Sequence, residues 1–180
     1  MLIERRRSQL LVVDVQERLL PVMHDADAVI RGATLLIEGA RRLDVPVLAS
    51  EQYPRGLGPT VEEIRRLVPD DAVLEKLAFS CAADPGVRDR VGAADRPEIV
   101  VCGIEAHVCV LQTALGFAEA GYRVFVVGDA ISSRSPHNVA AAKERLGMNG
   151  VAVVTCEMVL FEWLAVAGTP EFKDLSRLIR

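Results

Sequence analysis

The sequence predicts a three-layer α/β/α sandwich around a mostly parallel sheet of about six strands. Three observations lead there. Short, continuously apolar β-branched runs recur along the 180 residues, as strands buried on both faces require. Helical patterns lie between those runs, so successive strands are joined by crossovers. The composition is 51% hydrophobic but only 4% aromatic, which implies a core of Ala, Val, Leu and Ile.

The strands expected in order are Leu10–Val13, Val45–Ala49, a weaker run at Ala72–Leu74, Ile99–Cys102, Val124–Val127 and Val151–Val154. Over 27–44, Val29, Ile30, Ala33, Leu36, Ile37, Ala40 and Leu43 repeat at three- and four-residue steps, a core-facing helical stripe. A second helix is expected over 107–120, ending at Gly121. A third, over 136–146, has Ser135 at its N-cap, Pro136 at its first position and Gly147 at its end. Segment 51–60, with two prolines and two glycines, reads as the main irregular loop. No repeat, low-complexity stretch or linker interrupts the pattern, so one domain over residues 1–180 is expected.

Several function classes fall away on composition. With 21 basic against 25 acidic residues there is no excess positive charge to hold a phosphate backbone, and nucleic acid is not an expected partner. No apolar run reaches the roughly 18–20 residues of a membrane span. Arg5–Arg7 reads as a solvated lead-in rather than a targeting signal, because Asp14 breaks the apolar run behind it. Cys81, Cys102, Cys109 and Cys156 have neither C-x-x-C pairing nor metal-ligand spacing. Reduced thiols and a cytoplasmic location are expected. Neither G-x-G-x-x-G nor a P-loop occurs, so phosphate-cradling loops are missing.

Three polar groups stand at or just past carboxyl ends of strands: Asp14, Lys76 and Cys109. Open α/β sheets bind ligands there, at the switch in strand order. If the first and fourth strands are neighbours, Asp14 and Cys109 face one crevice, and Lys76 reaches it from a more distant strand. A thiol at a helix start sees oriented N–H groups that favour the thiolate, and a nearby Lys⁺ pushes the same way. A carboxylate can take the thiol proton and pass it to a leaving group. Each residue also has a plainer reading: an Asp as a turn residue, a solvated Lys, a Cys as a small buried hydrophobe.

Taken together, Leu10-Leu-Val-Val-Asp14-Val-Gln16, then Lys76 with Phe79-Ser80, then Gly103-Ile-Glu-Ala-His-Val-Cys109-Val resemble the isochorismatase-like cysteine hydrolase superfamily, which includes nicotinamidases and N-carbamoylsarcosine amidohydrolases. The likeness runs over essentially the whole chain. Glu51-Gln52-Tyr53-Pro54 is most similar to the isochorismatase-domain-containing branch. The resemblance implies a Rossmann-like sheet, Asp14 as acid/base, Lys76 as catalytic lysine and Cys109 as nucleophile. It further implies a cis peptide between Ile104 and Glu105 and an oxyanion hole built from the amides of Glu105 and Cys109. Gln16, Gln52, Tyr53, Phe79 and Ile104 are candidate pocket walls.

The departures are informative too. Where nicotinamidases carry a metal-binding Asp and His cluster, this chain has Glu51-Gln52-Tyr53-Pro54, so no metal or other cofactor is expected. Ala106-His107 replaces a Thr-Asp pair, and His107 either lines the entrance or simply starts the helix. Vinyl-ether-cleaving isochorismatases lack the cysteine, so Cys109 points to C–N bond hydrolysis of a small molecule through a thioester. A non-catalytic ligand-binding or redox-sensing thiol protein is the alternative, although no resolving partner for Cys109 is evident. The apolar stretch Met158–Ala167 is either buried in its own subunit or an oligomer contact, and the resemblance favours a homo-oligomer.

Overall fold

The computed structural model describes residues 2–179. Its strands are β1 (Ser8–Val13), β2 (Val47–Gln52), β3 (Val73–Lys76), β4 (Glu98–Ile104), β5 (Arg123–Ser132) and β6 (Ala152–Val154). All neighbours pair in parallel, in the order β3-β2-β1-β4-β5-β6. The chain therefore winds outward from β1 to β3, returns to the middle at β4, and winds out the other way. The reversal between β1 and β4 leaves a crevice at their carboxyl ends.

The helices are α1 (Ala26–Arg42), the single turns α2 (Pro54–Leu57) and α3 (Glu62–Arg65), α4 (Pro85–Ala93), α5 (Leu111–Glu119), α6 (Pro136–Met148), α7 (Cys156–Leu164) and α8 (Pro170–Leu178). α1 packs with α7 and α8, and α5 packs with α6, giving the two outer layers of the sandwich. The α1 stripe read from the sequence is the buried one: Val29, Ala33, Leu36, Ile37 and Ala40 are inaccessible. Asp25 starts the helix by accepting from the Ala28 amide at 3.0 Å.

Three expectations need correction. The 51–60 loop begins later than read, because β2 runs on through Glu51 and Gln52, which pair with Glu75 and Lys76 of β3. The helix expected from residue 107 opens as a π-helical turn, Ala106–Val110, before α5 proper. β6 is not buried on both faces. It is the sheet's edge, with Ala152 and Val153 exposed. The closing stretch divides by face: Val159, Leu160 and Trp163 of α7 are buried, whereas Met158 and Phe161 are exposed.

Candidate active site

β1 ends between Ser50 of β2 and Gly103 of β4, both in register with Val13. Asp14 then leaves the strand in the left-handed region (φ 52°), which Asp tolerates better than most residues. Its amide donates to the Ser50 carbonyl at 3.0 Å. Gly103 has φ 115°, and a Cβ there would collide with the Val13 carbonyl oxygen, so only glycine lets β4 close against β1 at this level. Beyond Gly103 the Ile104–Glu105 peptide is cis. The Glu105 carbonyl accepts from the amides of Val108 (3.1 Å) and Val110 (3.2 Å), which shapes the turn that carries Cys109 into α5.

Asp14, Lys76 and Cys109 meet in the β1/β4 crevice. Lys76 lies on the edge strand β3, and its side chain spans β2 to place Nζ 2.7 Å from Asp14 Oδ2. The same ammonium donates to Gln52 Oε1 at 2.8 Å and to the Phe79 carbonyl at 3.1 Å. An ammonium has three N–H groups, so all of them are engaged within the protein. Ser50 Oγ donates to Asp14 Oδ1 at 2.7 Å and accepts from the Cys81 thiol at 3.4 Å. The Cys109 thiol is the third side chain acting on the Asp14 carboxylate.

The electrostatics correct the expectation of a ready-made thiolate. Burial raises the Cys109 thiol well above its ordinary range, and the Asp14 carboxylate pushes the same way, with Lys76 opposing both. Burial likewise lifts Asp14 above the usual carboxylate range, against the pull of Lys76, Ser50 and Cys109. Both shifts run the same way: they make the thiol harder to ionise and the carboxylate a stronger base. Cys102, inside β4, is pushed up to about 12 by burial alone and stands apart from this chemistry.

The remaining candidate residues divide by depth. Gln16 is fully buried and spent on backbone: Nε2 donates to the carbonyls of Gln52 (3.0 Å) and Gly58 (2.6 Å), and Oε1 accepts from the Gln52 amide at 2.7 Å. Ile104 is in the core. Tyr53 and Phe79 are half exposed at the rim, and a groove of about 450 Å³ opens beside Lys76 between Tyr53, Arg55, Leu77 and Asp84. A more spacious groove, about 720 Å³, lies away from these residues between α1 and the ends of α7 and α8. His107 is half-buried, 2.9 Å from Ser133 Oγ and 3.3 Å from Asn138 Nδ2. Glu105 turns its carboxylate to Arg134, accepting from that residue's Nε and amide, both at 3.1 Å.

Glu51 is occupied by the amide and hydroxyl of Thr60, at 2.7 and 2.8 Å. Among the described residues no three His, Cys, Asp or Glu side chains gather as a metal site would need. Sequence reasoning missed Ser50 and Cys81. The available signal was the two-residue strand period, which sets Ser50 on the same face of β2 as Gln52.

Comparison with known proteins bears on the family and the fold. The model of the isochorismatase domain matches residues 8–158. A Phytophthora sojae protein named secreted isochorismatase effector Isc1 is 38% identical over 177 residues, covering 96% of this chain and 84% of that one. The zebrafish (Danio rerio) isochorismatase domain-containing protein 2 is 36% identical, covering 96% of this chain and 86% of its own. Among solved structures, the MAR1 ribonuclease of Caenorhabditis elegans superposes with a TM-score of 0.92 at 33% identity, over 99% of this chain and 92% of that one.

Proposed function

The chain belongs to the isochorismatase family, and we propose that it is a single-domain cysteine hydrolase cleaving a C–N bond of amide, imide or carbamoyl type in a small molecule. One observation carries the reading: Cys109 and the Lys76-held Asp14 stand together at the switch in strand order, near enough for the carboxylate to act on the thiol.

In this reaction the Asp14 carboxylate takes the Cys109 proton as Sγ attacks the substrate carbonyl carbon. The amides of Glu105 and Cys109 receive the oxyanion, an interaction whose loss costs about 10²–10³ in rate. Asp14 then returns the proton to the nitrogen as the C–N bond breaks, leaving a thioester. Water gives a proton to Asp14 and its oxygen attacks the thioester. Collapse frees the acid, and Sγ recovers its proton from Asp14. Lys76 acts through charge, since its N–H groups are engaged elsewhere. Tyr53 and Phe79, exposed at the rim, are the proposed pocket walls.

Although the worm relative is named a ribonuclease, the acidic balance here, net −4, supports a small molecule over a phosphate backbone. Four free, buried cysteines support a reducing, cytoplasmic setting, and no helix among the described residues is long and apolar enough to cross a membrane. The exposed Met158 and Phe161 on α7 support self-association. A fold relative, the Escherichia coli YcaC hydrolase (TM-score 0.92, 22% identity), is described as octameric.

The test is ammonia release from a panel of small amides, ureas and carbamoyl compounds, with wild type and Cys109→Ala. An acyl mass on the Cys109 peptide during turnover is the expected result. Full turnover by Cys109→Ala would sink the assignment.

A further inference from the structure

Gln52 occupies a position where a pocket wall was expected, yet its side chain turns away from the rim. Its Oε1 accepts from Lys76 Nζ at 2.8 Å and its Nε2 donates to the Leu77 carbonyl at 2.9 Å. Gln52 and Lys76 are register partners on adjacent strands, so the contact is fixed by the sheet rather than by a mobile loop. Its backbone is clamped in turn: Gln16 accepts from the Gln52 amide and donates to its carbonyl, standing in for a strand partner. The result is an unbroken buried chain, Gln16 to Gln52 to Lys76 to Asp14, whose carboxylate acts on the neighbouring Cys109 thiol.

We infer that Gln52 is a positioning residue, holding the Lys76 ammonium on Asp14 and thereby governing proton exchange between Asp14 and Cys109. The inference rests on the hydrolase reading of the site. A buried ammonium needs an acceptor for each N–H. Asp14 supplies one, the Phe79 carbonyl a second, and Gln52 the third. The third acceptor has to be neutral to work here. A carboxylate at this position would draw the ammonium away from Asp14 and add negative charge beside a proton that must leave. The other ionisable groups around Asp14 are Cys109 on the π-helical turn and Cys81 behind Ser50, while the Gln52 side chain bonds to Lys76 and Leu77.

Lys76 favours the charged forms of both Asp14 and Cys109. Loosening it should leave both protons held more tightly. The experiment measures iodoacetamide alkylation of Cys109, followed by peptide mass spectrometry across pH, in the full-length wild type, Gln52→Met, Gln52→Glu and Lys76→Met. The profile should move to higher pH in both Gln52 variants, further in Gln52→Glu, with the rate at pH 7 at least three-fold below wild type. On a substrate from the ammonia screen, kcat should fall with KM unchanged.

Gln52 profiles that superimpose on wild type, or a change in KM alone, would overturn the inference and return Gln52 to the pocket wall. Lys76→Met separates the two levels. If it shifts the profile and the Gln52 variants do not, only this inference fails. If it does not shift the profile either, the reading of the whole site fails. Should both Gln52 variants misfold, the wild type labelled with ¹⁵N-lysine still decides: a Lys76 ammonium signal protected from exchange is expected, and a rapidly exchanging one overturns the proposal.

Discussion

Lys76 Nζ lies 2.7 Å from Asp14 Oδ2, with both side chains wholly out of water. A buried pair of this kind adds little net stability over an apolar replacement, but removing one partner strands a charge and costs about 3–5 kcal/mol. Lys76→Met should lose roughly that much in urea unfolding, and Asp14→Asn combined with Lys76→Met should recover part of it. The sign with pH follows from Asp14. Its folded value is already raised by burial and would rise further without Lys76. A raised carboxyl favours the folded state below its unfolded pKa, near 3.9, and loses that contribution as pH climbs through the folded value. Lys76→Met should therefore be relatively more stable in acid than at neutral pH. A deficit independent of pH would show that Asp14 is not the stranded charge.

Asp14 raises the Cys109 thiol both by its charge and by accepting from it. Asp14→Asn removes the charge, though its Oδ1 can still accept, while Lys76⁺ remains, so the thiol should ionise at lower pH. Iodoacetamide alkylation at pH 7 should then speed up several-fold even as turnover falls by at least the 10²–10⁴ of general acid–base catalysis. Reactivity and turnover moving in opposite directions is the signature of a proton carrier; a parallel loss of both would point to a collapsed site.

The proposed mechanism needs Asp14 ionised to accept the thiol proton. Because burial holds its carboxyl above the usual range, the acid limb of kcat/KM should have its midpoint above the ordinary Asp value of about 3.9, with activity lost as pH falls. A pH–rate profile from 3 to 9 on any substrate from the screen measures it. A limb at or below the ordinary value would exclude Asp14 as the titrating base.

The sheet was legible because parallel strands buried on both faces must be continuously apolar, and Leu10–Val13 and Ile99–Cys102 are read off as such. The end of β2 was not, because Ser50, Glu51 and Gln52 are buried polar residues whose partners (Asp14, Thr60 and Lys76) come from elsewhere in the chain. Strand pairing of that sort has no local pattern. Asp14, Lys76 and Cys109 drew notice by their position at strand ends, but it was the resemblance to the family that set them apart from plainer readings. Burial pushes the Cys109 thiol against the helix-start argument, which leaves out how much water the fold removes around it.

Gly103 joins fold to site, and its replacement is a further test. It sits opposite Val13, one residue before Asp14, with φ 115°, and an added Cβ would meet the Val13 carbonyl oxygen, nitrogen and carbon. Backbone atoms have no rotamer with which to move aside. Positive φ in an L-residue costs about 1–3 kcal/mol, and overpacking at a closed strand pair typically costs a further 1–3. Gly103→Ala should accordingly lose roughly 2–6 kcal/mol in urea unfolding. Since β1 can yield only by shifting Val13, Asp14 should move with it, and the folded fraction should turn over more slowly than wild type. A variant of near wild-type stability and activity would mean that the β1/β4 spacing does not set the Asp14–Cys109 geometry. Loss of stability with full activity in the folded fraction would confine Gly103 to the fold.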